Sequence, residues 1–181
     1  MTPSSSRPAP APAHNRAVAL FLVRHAIAEA RGSDWPDDTK RPLTQRGMAR
    51  MREAARGLDA VGVEISLVLT SPLVRARQTA EILARGLTSV PAVEVTNVLL
   101  PGQPPARIVE ALAAHARSRA IALVGHEPGL GELAAWLIGA REALPFKKGG
   151  VCRIDVPSLP PVPPGQLVWF ALPKMLRAMG Q

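Results

Sequence analysis

Short apolar runs alternate along this chain with segments whose apolar residues recur at helical spacing. The runs at 17–23, 65–70 and 121–124 have the length of buried strands and are too short to cross a membrane. Between the first two runs, apolar residues of 48–61 recur every three or four positions, which predicts a helix with one buried face. The pattern is therefore one of strands and helices in alternation.

The pattern changes in the last part of the chain. Two segments rich in strand-forming residues, 151–156 and 166–172, flank a proline-rich turn and predict an antiparallel hairpin. Together with the preceding alternation, the hairpin indicates a three-layer α/β/α domain with a mostly parallel, mixed central sheet. A chain of 181 residues can bury one good core, so we expect a single domain over 17–181. Residues 1–16, rich in Ser, Pro and Ala, are expected to form a disordered arm.

Two of the predicted strands end at a histidine. Arg24 and His25 follow the first apolar run, and Gly125 and His126 follow the third. The carboxyl ends of parallel strands share one rim of an open α/β sheet, so we expect the two histidines to converge there. A guanidinium beside an imidazole at such a rim is suited to an anionic group such as phosphate.

The helix that follows the second strand supplies further polar groups. Ser71 and Pro72 have the pattern of a capping hydroxyl followed by proline at the first helical position. Arg75 then falls in the first turn, where a cation opposes the helix dipole and a held anion would explain its presence. Two arginines, two histidines and the backbone donors of a helix start would suit a phosphoryl group without a metal ion. One imidazole could attack phosphorus and form a phosphoenzyme.

The composition narrows the possible partners. The 22 Lys and Arg residues outnumber the 14 acidic ones and give a net charge of +8, which favours anionic partners and makes nucleic acid a candidate. Only 3% of residues are aromatic, however, so the side chains that stack on bases are scarce. We therefore expect no nucleic-acid partner. Cys152 is the only cysteine, which excludes an intramolecular disulfide and argues against a thiolate metal site.

Targeting patterns are missing from the sequence. The first 16 residues have no apolar signal region, and no run reaches transmembrane length. We expect a cytoplasmic protein with no membrane partner, no metal site and no cofactor. The sequence does not indicate an oligomeric state.

Three segments, in this order, resemble the histidine phosphatase superfamily, whose fold is phosphoglycerate-mutase-like. They are Leu22-Val23-Arg24-His25, Ser71-Pro72-Leu73-Val74-Arg75-Ala76-Arg77-Gln78-Thr79 and Gly125-His126-Glu127-Pro128. Two further segments, Arg41-Pro42-Leu43-Thr44 with Gly47 and Leu100-Pro101-Gly102, look most like the SixA-type phosphohistidine phosphatase branch. The resemblance covers roughly residues 18–137 and implies a metal-independent phosphatase.

The resemblance also implies a role for individual residues. His25 would be the phosphorylated nucleophile. The residues that would bind the phosphoryl group or contact the substrate are Arg24, Arg41, Ser71, Arg75 and His126. The mutase branch has a glutamate acid that is missing from 97–103, so mutase activity is not expected. Glu127 stands where the acid-phosphatase branch has an aspartate and could protonate a leaving group.

The expected substrate is phosphohistidine on a protein. The bridging nitrogen of this phosphoramidate can itself be protonated, so that imidazole leaves neutral with less need for an enzymatic acid. A small phosphorylated metabolite is the alternative substrate, and a module that binds phospho-ligands without turnover would use the same arginines and histidines. Glu29 and the acidic stretch 34–38 are expected to form a solvated loop, with a role in the approach of a phosphoprotein as the alternative.

Overall fold

A six-stranded sheet forms the centre of the computed structural model, which describes residues 17–180. The strands are β1 (Val18–Arg24), β2 (Leu67–Thr70), β3 (Ala92–Val95), β4 (Ala120–Gly125), β5 (Val151–Val156) and β6 (Gln166–Ala171). Their order in the sheet is β3-β2-β4-β1-β5-β6. The first four strands are mutually parallel, and β5 pairs antiparallel with both of its neighbours, β1 and β6. The expected disordered arm at 1–16 lies outside the described residues.

Helices cover both faces of the sheet. They are α1 (Gln45–Ala60), α2 (Val74–Arg85), α3 (Pro105–Ala111), α4 (Gly129–Ile138) and α5 (Pro173–Met179), with 3₁₀ turns at Asp38–Lys40, Asn97–Leu99 and Leu112–His115. One buried cluster joins the sheet to α1, α2 and α5, and another joins it to α3 and α4. The predicted three-layer α/β/α architecture is therefore confirmed.

Strand β1 is buried on both of its faces, which explains why its sequence is apolar without interruption. Phe21 and Val23 pack into the cluster beneath α1 and α2, whereas Leu20 and Leu22 pack into the cluster beneath α3 and α4. Alternate side chains of a strand point to opposite faces, and here helices cover both of them. The run becomes polar at Arg24, where the strand reaches the rim of the sheet.

The start of α1 is joined to the chain that leaves β1. Thr44 caps the helix, with its Oγ1 accepting a hydrogen bond from the Gly47 amide at 2.8 Å. Gly47 packs so closely on the Ile27 carbonyl that a Cβ atom would collide with that oxygen. The segment just after β1 is thereby fixed against α1.

Some element boundaries differ from the sequence predictions. The predicted N-cap at Ser71 with Pro72 in the first turn is wrong, because α2 begins at Val74 and its N-cap is Leu73. The hydroxyl of Ser71 is engaged by His126 instead. Helix α3 ends at Ala111, and the chain continues as a 3₁₀ turn over Leu112–His115. Helix α5 was not predicted, because its seven residues carry a short and weak apolar pattern.

Candidate active site

The two strand-end histidines lie side by side. Strands β1 and β4 are parallel neighbours in which Arg24 is opposite Gly125, so His25 and His126 leave the sheet together. The His25 amide donates to the Gly125 carbonyl at 3.0 Å, and the ring centroids are 5.1 Å apart. The expected convergence at one rim is observed.

A pocket of about 330 Å³ opens at this rim. The predicted site residues that line it are Arg24, His25, Arg41, Arg75, His126 and Glu127. Ser71 does not line the pocket but is fully buried behind His126, with its Oγ 2.9 Å from Nε2 of that ring. These predicted residues come from four separate parts of the sequence and meet around one small cavity, which Lys148 also lines.

His25 has a defined tautomer and charge. Its Nδ1 lies 2.7 Å from the Ala26 carbonyl oxygen, which can only accept, so Nδ1 carries the proton and the Nε2 lone pair is free. Burial lowers the pKa of His25 to about 4, and the charges of Arg75 and Arg24 act in the same direction. The imidazole is therefore neutral near pH 7.

Thr79 fixes the backbone next to His25. Its buried Oγ1 accepts from the Ala26 amide at 3.0 Å and donates to the Arg75 carbonyl at 2.7 Å. Sequence reasoning placed Thr79 on the same motif as Arg75 but gave it no role. The signal was present, since a hydroxyl four residues after Arg75 on a helix reaches back to that residue's carbonyl.

His126 is also buried and neutral. Its pKa is lowered to about 3, mainly by burial and in the same direction by electrostatic interaction with His25 and Arg75. Ser71 Oγ accepts a long bond from the Leu73 amide at 3.4 Å, which leaves its hydroxyl hydrogen for His126 Nε2. In that arrangement the Nδ1 atom of His126 carries the ring proton.

Arg75 is held by Asp38. Its guanidinium is almost fully buried, donates from Nη1 to the Asp38 carbonyl at 2.8 Å and pairs from Nη2 with the Asp38 carboxylate at 3.0 Å. The same carboxylate pairs with Arg41 at 2.8 Å and with Arg31 at 3.3 Å. The expectation that 34–38 forms only a solvated loop is therefore wrong at Asp38, which joins three arginines at the pocket.

The charges around Asp38 decide its protonation. Burial raises the pKa of Asp38, but the hydrogen bond from Arg41 and the nearby positive charges outweigh burial and hold the pKa below its usual value. Burial disfavours the charged form of Arg75 as well and so lowers its pKa, and the Asp38 carboxylate opposes that shift. Sequence reasoning missed Asp38 because Arg75, its buried partner, is 37 positions away in the sequence.

Arg24 and Glu127 are connected through the backbone of Phe146. Arg24 Nη1 donates to the Phe146 carbonyl at 2.5 Å, and the Phe146 amide donates to Glu127 Oε1 at 2.6 Å. Three residues later, the Gly149 amide donates to the carbonyls of both Arg24 and His25. Gly149 has a φ of 79°, a conformation that glycine adopts without strain. The segment before β5 thus supports the end of β1.

Three donors at the pocket lack hydrogen-bond partners. Among residues 17–180, the buried side-chain nitrogen or oxygen atoms without a partner are Arg24 Nε, Arg75 Nε and His126 Nδ1. An unsatisfied buried donor is destabilising by about 1–3 kcal/mol, so such atoms are rare in folded proteins. All three belong to residues predicted to bind the phosphoryl group.

Other sequence expectations concern membranes, metals and the cysteine. No helix within residues 17–180 is long and apolar enough to span a membrane. The same described range contains no cluster of three His, Cys, Asp or Glu side chains arranged to hold a metal ion. Cys152 is fully buried in β5, and burial raises the pKa of its thiol to about 12.

Comparison with known proteins identifies the family. The model of the histidine phosphatase superfamily (branch 1) matches residues 20–98, and an uncharacterized protein of Picosynechococcus is 38% identical over 136 residues, 73% of this chain and 81% of that protein. The chain belongs to the histidine phosphatase superfamily. The phosphohistidine phosphatase SixA of Escherichia coli is 38% identical over 82 residues, which span 45% of this chain and 49% of that protein.

Solved structures agree with this assignment. The structure of SixA complexed with tungstate superimposes with a TM-score of 0.76 at 26% identity, covering 87% of this chain and 98% of that one. A mycobacterial glucosyl-3-phosphoglycerate phosphatase, at 17% identity, shares the fold with a TM-score of 0.65, and the match covers 87% of this chain and 100% of that one. The phosphoglycerate-mutase-like fold is confirmed, and this histidine phosphatase is a phosphate-releasing hydrolase.

Proposed function

We propose that this phosphatase forms a covalent phosphohistidine on His25 and removes phosphate from phosphohistidine in a substrate protein. The observation that carries the proposal is the state of His25. Its ring is buried and neutral, Nδ1 is occupied by the Ala26 carbonyl, and the free Nε2 belongs to a ring that lines the pocket. A neutral imidazole with one free lone pair is a competent nucleophile.

The reaction has two steps. In the first, the His25 Nε2 lone pair forms a bond to phosphorus while the bond from phosphorus to the substrate's imidazole nitrogen breaks. That nitrogen takes up a proton from solvent, so a neutral imidazole leaves. In the second, water attacks phosphorus and releases one proton to solvent, the bond to His25 Nε2 breaks, and hydrogen phosphate departs with His25 restored.

Arg24, Arg75 and His126 are proposed to hold the transferring phosphoryl group. Their three buried donors without partners would find acceptors in phosphoryl oxygens. Ser71 is proposed to act through His126, because donation from its hydroxyl to Nε2 keeps a proton on Nδ1. Arg41 lines the same pocket and is proposed to contact the substrate, although two of its donors are already engaged by Asp38 and the Glu29 carbonyl.

The choice of phosphohistidine rests on the leaving group. The Glu127 carboxylate already accepts from the Phe146 amide at 2.6 Å, so one of its oxygens is engaged in holding the segment before β5. A phosphoramidate needs less acid assistance than an alkyl phosphate, since its bridging nitrogen can be protonated. The similarity to SixA, a phosphohistidine phosphatase by name, supports the same substrate class.

A rapid-quench experiment tests the covalent step. Mixing the protein with labelled phosphoramidate and quenching in alkali should trap an acid-labile phosphoryl group on His25. His25→Ala should lose the label and at least about 10³-fold in kcat. His115→Ala serves as the control, because His115 does not line the pocket and its variant should be labelled normally. Turnover by a folded His25→Ala protein would refute the mechanism.

A small phosphorylated metabolite remains the second candidate, and Glu127 is the observation that favours it. This half-buried side chain lines the pocket, where a carboxyl group could assist an alkoxide leaving group. Comparing kcat/KM for a phosphohistidine peptide with that for sugar phosphates decides between the candidates. The proposed substrate should be preferred by at least tenfold, and a preference for sugar phosphates would favour the second candidate.

A further inference from the structure

A second cavity, larger than the catalytic pocket, adjoins it. The cavity measures about 540 Å³ and lies between α1, α5 and the segment before β5. Arg24 and Lys148 line both cavities, so the two spaces meet at these side chains. We call the larger one the basic groove, because its other charged lining residues are Arg50, Lys147, Lys174 and Arg177.

The charges of the basic groove all have one sign. Within residues 17–180, no Asp or Glu lines the groove. In that range the one carboxylate paired with a cation of the groove is Glu53, which lies 3.6 Å from Arg177. Lys147 and Lys174 are exposed and Arg50 is half-buried. A cleft lined by charges of one sign concentrates the field and attracts ligands of the opposite sign. The groove is therefore suited to an anionic ligand.

The floor of the basic groove is apolar. Ala26, Met51 and Ala54 are buried side chains that line it, and Ile27 lies beside them. A small, fully hydrophilic anion would leave these apolar side chains exposed to water, whereas a ligand with aliphatic groups between its charges would cover them. Among the residues that the structure describes, no aromatic side chain lines the groove, and such side chains are the stacking surfaces that single-stranded nucleic acid uses.

We propose that the basic groove binds an acidic, partly aliphatic segment of the substrate protein adjacent to the phosphorylated residue. The proposal deepens the proposed function and rests on it for the identity of the substrate. A phosphoryl group in the catalytic pocket would lie beside Arg24, and the polypeptide leaving it can enter the groove past Arg24 and Lys148. The groove would thus add affinity for acidic substrates away from the reacting atoms.

Direct binding tests the groove without using catalysis. The probe is a short fluorescein-labelled peptide rich in Glu and Leu and free of phosphate, followed by anisotropy. Removing three rim charges in Arg50→Ser/Lys147→Ser/Lys174→Ser should raise Kd about tenfold, since each exposed contact contributes modestly. A matched control is available elsewhere on the surface. Arg52→Ser/Arg56→Ser/Arg85→Ser removes the same charge around a different cavity and should change Kd less than twofold. Equal losses in both variants would overturn the proposal.

Kinetics place the groove in the reaction. For a phosphohistidine peptide with acidic flanks, the groove variant should raise KM about tenfold and leave kcat within twofold. For phosphoramidate, which is too small to reach the groove, both constants should stay within twofold. Equal KM values for acidic and neutral flanks in the wild type would overturn the proposal, as would displacement of the probe by pyrophosphate or short single-stranded DNA at lower concentration. Normal probe binding by His25→Ala separates this proposal from the catalytic one.

Discussion

At the scale of single residues, Asp38 joins the cations of the site. It lies in the loop between β1 and α1 and pairs with Arg31, Arg41 and Arg75. Arg75 is nearly buried, so removing the carboxylate leaves a guanidinium that is poorly solvated and without its charged partner. The acidic loop thereby contributes to the shape of the proposed phosphate site.

Asp38→Asn should lower the free energy of unfolding. We expect a loss of about 1–2 kcal/mol at pH 7 by urea denaturation, at the lower end for such pairs because Asp38 itself is half exposed. The folded pKa of Asp38 lies below its ordinary value, so this contribution is present at neutral pH and lost only as pH falls through the folded pKa. Asp34→Asn, on the exposed part of the same loop, should change the free energy by less than about 0.5 kcal/mol. A loss as large in the control would contradict the role given to Asp38.

Residue identities at the site were largely predictable, and residue contacts were not. Arg24, His25 and His126 stand at strand ends, where the change from apolar to polar marks the rim of the sheet. The pairing of Asp38 with Arg75 depends on a loop conformation that brings together residues 37 positions apart. Local sequence patterns carry no information about such a distance.

At the scale of elements, α2 positions the end of β1 through one hydroxyl. Thr79 accepts from Ala26 and donates to the helix carbonyl of Arg75, so the His25 segment and the Arg75 turn move together. The predicted start of α2 was wrong, but the helix itself and the place of Arg75 in its first turn were predicted. An error of two residues at a boundary leaves the buried face of a helix unchanged.

Thr79→Val should separate the hydrogen bonds of Thr79 from its packing. Valine keeps the shape of the side chain but leaves the buried Ala26 amide without an acceptor, which lowers the free energy of unfolding by about 1–3 kcal/mol. The neighbouring His25 can then shift. We expect kcat to fall about tenfold, because small displacements of a nucleophile are costly. Thr79→Ser loses the methyl group yet retains both hydrogen bonds, and should keep kcat within about threefold. Steady-state assays on phosphoramidate measure kcat for both variants. A larger loss of kcat in Thr79→Ser than in Thr79→Val would contradict this role of the hydrogen bonds.

The segment before β5 gives Glu127 two distinguishable roles. As a positioning residue it holds Phe146, whose carbonyl accepts from Arg24. Glutamine keeps an acceptor for the Phe146 amide but cannot deliver a proton. For phosphohistidine we expect Glu127→Gln to stay within about threefold of wild-type kcat and Glu127→Ala to lose about tenfold. On an aryl phosphate, an equal loss in both variants together with loss of the basic limb of the pH–rate profile would identify Glu127 as the acid.

At the scale of the whole molecule, the sequence pattern predicted the layers of the fold but not the basic groove. Continuous apolar runs indicated a sheet covered on both faces, and the hairpin at the end was confirmed as β5 and β6. The basic groove could not be predicted, because it is built from α1, the unpredicted α5 and a loop that meet only in the folded chain. Its cations were scattered through the sequence without any local cluster except Lys147 and Lys148.

The two buried histidines should make stability depend on pH in a particular window. Burial lowers the folded pKa of His25 to about 4 and that of His126 to about 3, whereas unfolded histidine titrates near 6.5. Between pH 7 and 5 the unfolded chain therefore takes up protons that the folded chain does not, and the free energy of unfolding falls. The stabilising contribution is complete above about pH 6.5 and decreases as the pH falls towards the folded values.

Urea denaturation at pH 7 and pH 5 measures this dependence. Each buried histidine should account for a decrease of about 1–2 kcal/mol between the two values, so His25→Ala and His126→Ala should each show a smaller pH dependence than the wild type. His115→Ala, outside the catalytic pocket, is the matched control and should keep the wild-type difference between pH 7 and 5. If all three variants retained the wild-type pH dependence, the histidines would titrate alike in both states. The nucleophile would then not be the buried, neutral imidazole on which the proposed chemistry depends.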